Sequence, residues 1–182
     1  MSIEAPVFNF QTQIDKVSAY NELFVQWLES KNNIKYVRKA LLEQDKQGID
    51  YFIGIVGNEK EIRIQLKVEF RTDETGNIPI ETISQAYSHK NSKIGAEFEY
   101  EEVDYIFYFM AYSGNVIMLK IDELLGFVIE DKNFKTFKNR STKNENDGVV
   151  YYTMYFLVPL DKIKHLVRWR GNIDITQLQK AS

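Results

Sequence analysis

Residues Glu61 to Arg71, EIRIQLKVEFR, alternate almost without error. Ile62, Ile64, Leu66, Val68 and Phe70 form one row, and Arg63, Gln65, Lys67, Glu69 and Arg71 form the other. Side chains alternate faces along a strand, so the stretch predicts a strand with one apolar and one fully polar face. A polar row of this kind is either solvated or chemically used. Just upstream, IDYFIGIVG is rich in β-branched and aromatic residues and reads as a strand. The NEK between them turns the chain, so the two strands form a hairpin.

The remaining elements follow from periodicity and breakers. DKVSAYNELFVQWLESKN carries Val17, Tyr20, Phe24, Trp27 and Leu28 at helical spacing, and Asp15 is placed to cap its start. YVRKALLEQDKQG fits a short strand, a short helix or an extended approach ending at Gly48. TDETGN reads as a polar turn and IPIETI as a short strand. SQAYSHKNSKIGAEFEYEE reads as helix and loop. VDYIFYFMAY and NVIMLKI predict a second hairpin around SGN. DELLGFVIED predicts a short helix with Asp122 near its start. KNFKTFKNRSTKNENDG reads as a polar loop, VVYYTMYFLVPL as a last strand and DKIKHLVRW as a last helix. Helices at both ends of a mixed sheet predict an α/β (α+β) sandwich, with a central mixed β-sheet flanked by helices.

The chain has 182 residues, enough for one domain with a real core. It has no cysteine and two histidines, His89 and His165, which argues against thiolate or His-rich metal centres. The missing cysteines also favour an intracellular, cytoplasmic location. MSIEAPVFNF does not read as a signal peptide, and the apolar runs are too short to span a bilayer, so no membrane role is expected. The net charge of -3 gives no global pull toward nucleic acid, so such contacts must come from local patches. Two stand out. KNFKTFKNRSTK carries Lys132, Lys135, Lys138, Arg140 and Lys143 with Phe134 and Phe137 interleaved. KIKHLVRWR carries Lys162, Lys164, Arg168 and Arg170 around Trp169. Cations meet phosphates and exposed aromatics stack on bases, so Lys135, Lys138, Arg140, Lys164, Arg168 and Arg170 are candidate nucleic-acid contacts. A solvated loop and an ordinary amphipathic helix are the competing readings. SHKNSK, with His89, Lys90 and Lys93, is a third basic stretch.

On the polar face of the opening strand, Gln65 and Lys67 point the same way. Asp50 begins the partner strand, just after Gly48, and the hairpin brings it alongside. A hard divalent cation takes oxygen ligands and keeps several waters. The Asp50 carboxylate, the Gln65 side-chain oxygen and the Leu66 backbone carbonyl supply such a set. Lys67 would then orient or deprotonate a bound water, or meet phosphate charge. Turn capping is the competing role for Asp50. Salt-bridged exposure is expected for Arg63 and Arg71, and cross-strand pairing with a lysine for Glu69.

GID followed by a strand, then IQLK in a second strand, resembles the PD-(D/E)xK nuclease superfamily. The matching positions are Asp50, Gln65, Leu66 and Lys67, and the order of helix, hairpin, strand, helix and strand is also similar. TGNIPIE and GAEFEYEEVDYIFYF look like the strand and tail of phage-type members. The resemblance covers residues 15 to 125, leaving 126 to 182 as elaboration of a single domain spanning 1 to 182. It implies a restriction-endonuclease-like core and Mg²⁺- or Mn²⁺-dependent hydrolysis of DNA phosphodiesters, with Asp50, Gln65 and Lys67 as the catalytic set. A homodimer is compatible with it. The departure is Gln65, which stands where the family usually has an acid. Glu43 and Glu81 are further candidate ligands, with Glu69 and Glu22 behind them. That departure keeps a second expectation open, a non-catalytic nucleic-acid-binding or protein-interaction module that retains the nuclease fold.

Overall fold

The structure, a computed structural model, describes residues 10–45, 47–86, 93–94, 102–129, 138–146 and 149–179. The first helix, α1 (Phe10–Glu29), buries Tyr20, Phe24 and Leu28, the expected helical stripe. Asp15 lies inside it, so it does not cap the start. Next come β1 (Ile34–Lys39), α2 (Leu42–Asp45), β2 (Tyr51–Ile55) and β3 (Ile62–Glu69). The ambiguous YVRKALLEQDKQG is therefore a strand and a short helical turn. Gly48, at φ 82, closes that turn, a left-handed conformation that glycine adopts without steric cost.

Thr72–Thr75 forms a single helical turn, α3, ended by Gly76 at φ 66. It is followed by β4 (Asn77–Ala86), β5 (Lys93–Ile94), β6 (Tyr105–Met110), β7 (Asn115–Lys120) and α4 (Ile121–Ile129). The chain then forms β8 (Lys138–Asn146), β9 (Val149–Pro159), α5 (Leu160–Ile163), β10 (Val167–Asn172) and α6 (Thr176–Gln179). Three expectations change here. The first short strand after α3 runs on to Ala86, where a helix was expected. Lys138–Asn146 is a strand rather than loop, because it pairs residue by residue with β9. The last helix stops at Ile163, and Val167–Asn172 pairs antiparallel with β7 instead. β9 is therefore not the last strand. His89, Lys90, Lys132, Phe134, Lys135 and Phe137 lie outside the described residues.

A six-stranded mixed sheet has the order β1-β2-β3-β6-β7-β10, and a four-stranded sheet the order β5-β4-β9-β8. The fold is thus α+β with a central mixed sheet. β1, β2 and β3 form an antiparallel meander, and β6 lies parallel to β3. α1 covers one face of the large sheet. Its core includes Phe24, Ile64, Phe107 and Phe109, with Phe24 and Phe107 edge to face at 5.2 Å. The other face packs against β4, β9, α4 and α5 through Ile78, Ile80, Ile106, Tyr108, Leu124, Phe156 and Ile163. YIFYFM of β6 is buried on both faces, which is why it reads as a continuous apolar run. None of the helices among the described residues is long and apolar enough to cross a membrane.

Candidate active site

The apolar row of β3 packs under α1: Ile64 is fully buried there, and Ile62, Leu66, Val68 and Phe70 are partly buried. The polar row faces the other way. In register with β6, Gln65 lies beside Ile106, Lys67 beside Tyr108 and Glu69 beside Met110. Those three neighbours belong to the core between the two sheets. The polar face of β3 is therefore roofed by the second sheet at this point. Gln65 is only 6% exposed.

Asp50 is held at the mouth of the β2–β3 pair by its N–H, its carbonyl and one carboxylate oxygen. Its N–H donates to Ile64 O at 2.9 Å, and its own carbonyl accepts from Ala40 N at 2.9 Å. Its carboxylate Oδ2 accepts the Leu66 N–H at 2.6 Å, acting where a strand carbonyl would. This places the carboxylate against the Gln65–Leu66 peptide. The N–H and C=O of one strand residue point to the same side, so the Leu66 carbonyl faces the same edge. The Gln65 Oε1 is buried and has no hydrogen-bond partner, and Thr72 Oγ1 at the start of α3 is the other such atom among the described residues. A buried amide oxygen left unpaired costs about 1–3 kcal/mol, so this acceptor would gain from a donor or a cation. A hydroxyl such as that of Thr72 rotates freely and is the weaker signal of the two.

The electrostatics agree. Burial pushes the Asp50 carboxyl up to about 6. The Leu66 N–H opposes the rise, Asp45 adds to it, and Lys67 and Lys39 work against it. Tyr51, next in the chain, is raised to about 12, first by burial and then by Asp50 and Glu22. Lys67 Nζ lies 3.4 Å from Glu81 Oε2, across the gap between the sheets.

Asp50 is thus bonded to the Leu66 N–H and feels the charge of Lys67, Lys67 meets Glu81, and Gln65 is buried, next to Leu66 in the chain and beside Ile106 of β6. Glu43 is exposed on α2, beside the approach to Asp50 but not among these side chains. Glu22 is exposed on α1, which packs on the opposite face of the sheet. Glu69 follows Lys67 one step further along the same face. Sequence reasoning passed over Asp45 and Lys39, whose charges reach Asp50. The signal was their place on the short connection to Asp50, Lys39 as the last residue of β1 and Asp45 as the last of α2. Among the described residues no three His, Cys, Asp or Glu side chains converge as a metal-binding group.

Five of the candidate nucleic-acid contacts fall among the described residues. Lys138 and Arg140 sit on β8, paired in register with Leu157 and Tyr155. Lys164 is exposed just after α5. Arg168, Trp169 and Arg170 lie on β10, the far edge of the large sheet from β1. Arg168 is tied to Glu123, with Nε to Oε2 at 3.0 Å. Trp169 packs on Trp27 of α1, with ring centres 4.8 Å apart. Gly171 makes that contact possible, because a Cβ there would overlap both indoles.

No family model, curated protein or solved structure matches this chain.

Proposed function

We propose that the chain is a divalent-metal-dependent nuclease of PD-(D/E)xK type, cutting DNA phosphodiesters at the Asp50–Gln65–Lys67 cluster. The observation that carries the reading is the Asp50 carboxylate bonded to the Leu66 N–H, next in the chain to a buried Gln65 whose Oε1 has no hydrogen-bond partner. The supporting fold feature is a helix, an antiparallel meander β1-β2-β3 and a strand β6 parallel to β3. Between β3 and β6 the described residues contain β4, β5 and one helical turn, where the family has a helix.

The residues present fit a hard cation. Asp50, Gln65 Oε1 and the Leu66 carbonyl would hold Mg²⁺ or Mn²⁺, with waters completing the shell. A bound ion would supply Lewis-acid stabilisation and a more acidic water. Asp50 must be ionised to act as a ligand, and its proton leaves only near pH about 6. Metal affinity should therefore rise through that range and level off above it. The burial of Gln65 keeps its amide oxygen from bulk water and fixes its direction. Lys67 would present its ammonium to the phosphate or to the attacking water, on the same face and one pleat further along.

One observation favours a second reading. Glu81 already pairs with Lys67, and Gln65 brings no charge, so the cluster is less acidic than the usual family site. A binding module that keeps the fold without cleavage has the same geometry. Incubation of duplex and single-stranded DNA with wild type and Lys67→Ala, with and without Mg²⁺, separates the two. The nuclease reading expects metal-dependent cleavage by wild type that Lys67→Ala abolishes. Cleavage by both alike sinks the site assignment, and retention of DNA without cleavage favours the module.

A further inference from the structure

Glu81 reaches Lys67 from a different sheet, and β4 is built to send it there. In the β4–β9 ladder, Glu81 faces Tyr155 but Ile83 already faces Met154. Thr82 is thus an extra residue, a β-bulge directly after Glu81. Bulges bend a strand and re-aim the neighbouring side chain. Two positions earlier stands Pro79, which lacks an N–H. β4 tolerates it because β5 pairs only with Ile83 and Gln85, leaving the Pro79 edge without a strand among the described residues. The same stretch is pinned to the large sheet by the buried Tyr108, whose hydroxyl donates to Pro79 O at 3.2 Å. Tyr108 is the register partner of Lys67. One β4 segment therefore receives a hydrogen bond and offers a carboxylate to adjacent positions on β6 and β3. Both partners of the Lys67–Glu81 pair are about four-fifths covered, at 20% and 22% side-chain exposure. Solvent screens such a pair less than a surface one.

We propose that Glu81 is the positioning residue for Lys67: its carboxylate, aimed by the bulge at Thr82, holds the lysine ammonium over the Asp50–Gln65 cluster. The inference rests on the nuclease reading for its purpose, but its contact is testable in the resting protein. It makes the small sheet part of the site. It also assigns Glu81 a role distinct from metal ligation, because its carboxylate is spent on the lysine.

The test uses the full chain with Glu81→Gln and Glu81→Asp, after circular dichroism shows that both fold. Lys67 reactivity toward an amine-acylating reagent is read by mass spectrometry, Mn²⁺ affinity by calorimetry, and cleavage as kcat and KM separately. The expected result for Glu81→Gln is a several-fold rise in Lys67 labelling, Mn²⁺ affinity close to wild type, and lower kcat with KM little changed. Glu81→Asp recovers part of kcat. Unchanged Lys67 labelling overturns the positioning role. A loss of Mn²⁺ affinity on Glu81→Gln that persists at full size in a Lys67→Ala background also overturns it, because only a direct ligand acts without the lysine, and it leaves the nuclease reading in place. Wild type that neither takes up Mn²⁺ nor cleaves overturns the nuclease reading itself, and the positioning role falls with it.

Discussion

Two aspartates grip β3 in the same way and end in opposite states. Asp104 accepts the Arg63 N–H at 2.8 Å, and Asp50 accepts the Leu66 N–H at 2.6 Å. Burial pushes both carboxyls up. For Asp104 that push is outweighed by the Arg63 side chain, which meets it through Nε at 3.2 Å and Nη2 at 3.1 Å, helped by the N–H bond, and the carboxyl falls below its usual range. Glu102 adds a second anion to the same guanidinium. Asp50 has no cation in contact among the described residues, and its carboxyl rises to about 6. The Arg63 end of the strand is a closed structural network. The Gln65 end keeps a protonatable carboxyl, a stranded amide oxygen and a lysine held by a partner from another sheet. Charge alone does not mark a site; charge left incompletely neutralised under cover does.

The largest expected difference is in stability against pH. An unfolded Asp50 ionises near 3.8 and the folded one near about 6. The folded state therefore holds the proton more tightly, so this term is fully stabilising below about 3.8 and is lost as pH rises through about 6. Asp50→Asn should remove that loss, because an amide oxygen can still accept the Leu66 N–H. In metal-free buffer near neutral pH it should stabilise by up to about 3 kcal/mol, with the gain vanishing in acid. Asp104 has the opposite sign. Its folded carboxyl is depressed, so its contribution is present above the usual carboxylate range and lost as pH falls through the folded value. Asp104→Ala should cost about 2 kcal/mol near neutral pH. Denaturant melts of the two variants across pH check both slopes. Parallel slopes would erase the distinction between the two ends.

A smaller effect concerns Gln65. Gln65→Leu removes the unpaired oxygen and should raise stability by about 1 kcal/mol without metal, while abolishing any Mn²⁺-induced gain in Tm. A loss of stability would mean that the amide is satisfied in the folded chain. Smallest of all is Lys67→Ala in metal-free buffer. The contact is long, at 3.4 Å, and about a fifth of the Glu81 side chain stays exposed, so the carboxylate can take up water when the lysine goes; the change should lie within about 1 kcal/mol of wild type by chemical denaturation, even as cleavage disappears.

Much of the fold is legible in the sequence. Strict alternation gives β3, and the aromatic and β-branched runs give β2, β6, β7 and β9. Asp50, Gln65 and Lys67 follow from that hairpin. β8 is illegible because KNRSTKNEN has no apolar row, and its pairing with β9 is a property of the partner strand. β10 misleads for a different reason. Ile163, Leu166 and Val167 fall at helical spacing, yet the Leu166 N–H closes a turn on Ile163 O and Val167 begins a strand. Tertiary pairing overrides local pattern in both cases. The roof over Gln65 could not be read at all. A polar row looks the same whether water or a second sheet lies above it, and only the packing of β4 reveals the burial.

A Mn²⁺-soaked crystal at a pH well above 6 decides whether Asp50 and Gln65 hold a cation as proposed. The expected result is an anomalous peak within oxygen-ligand distance, ~2.2 Å, of an Asp50 carboxylate oxygen and Gln65 Oε1, with the Leu66 carbonyl alongside. A saturating soak that leaves this point empty, with Gln65 Oε1 bonded instead to an ordered water or a protein donor, would contradict it.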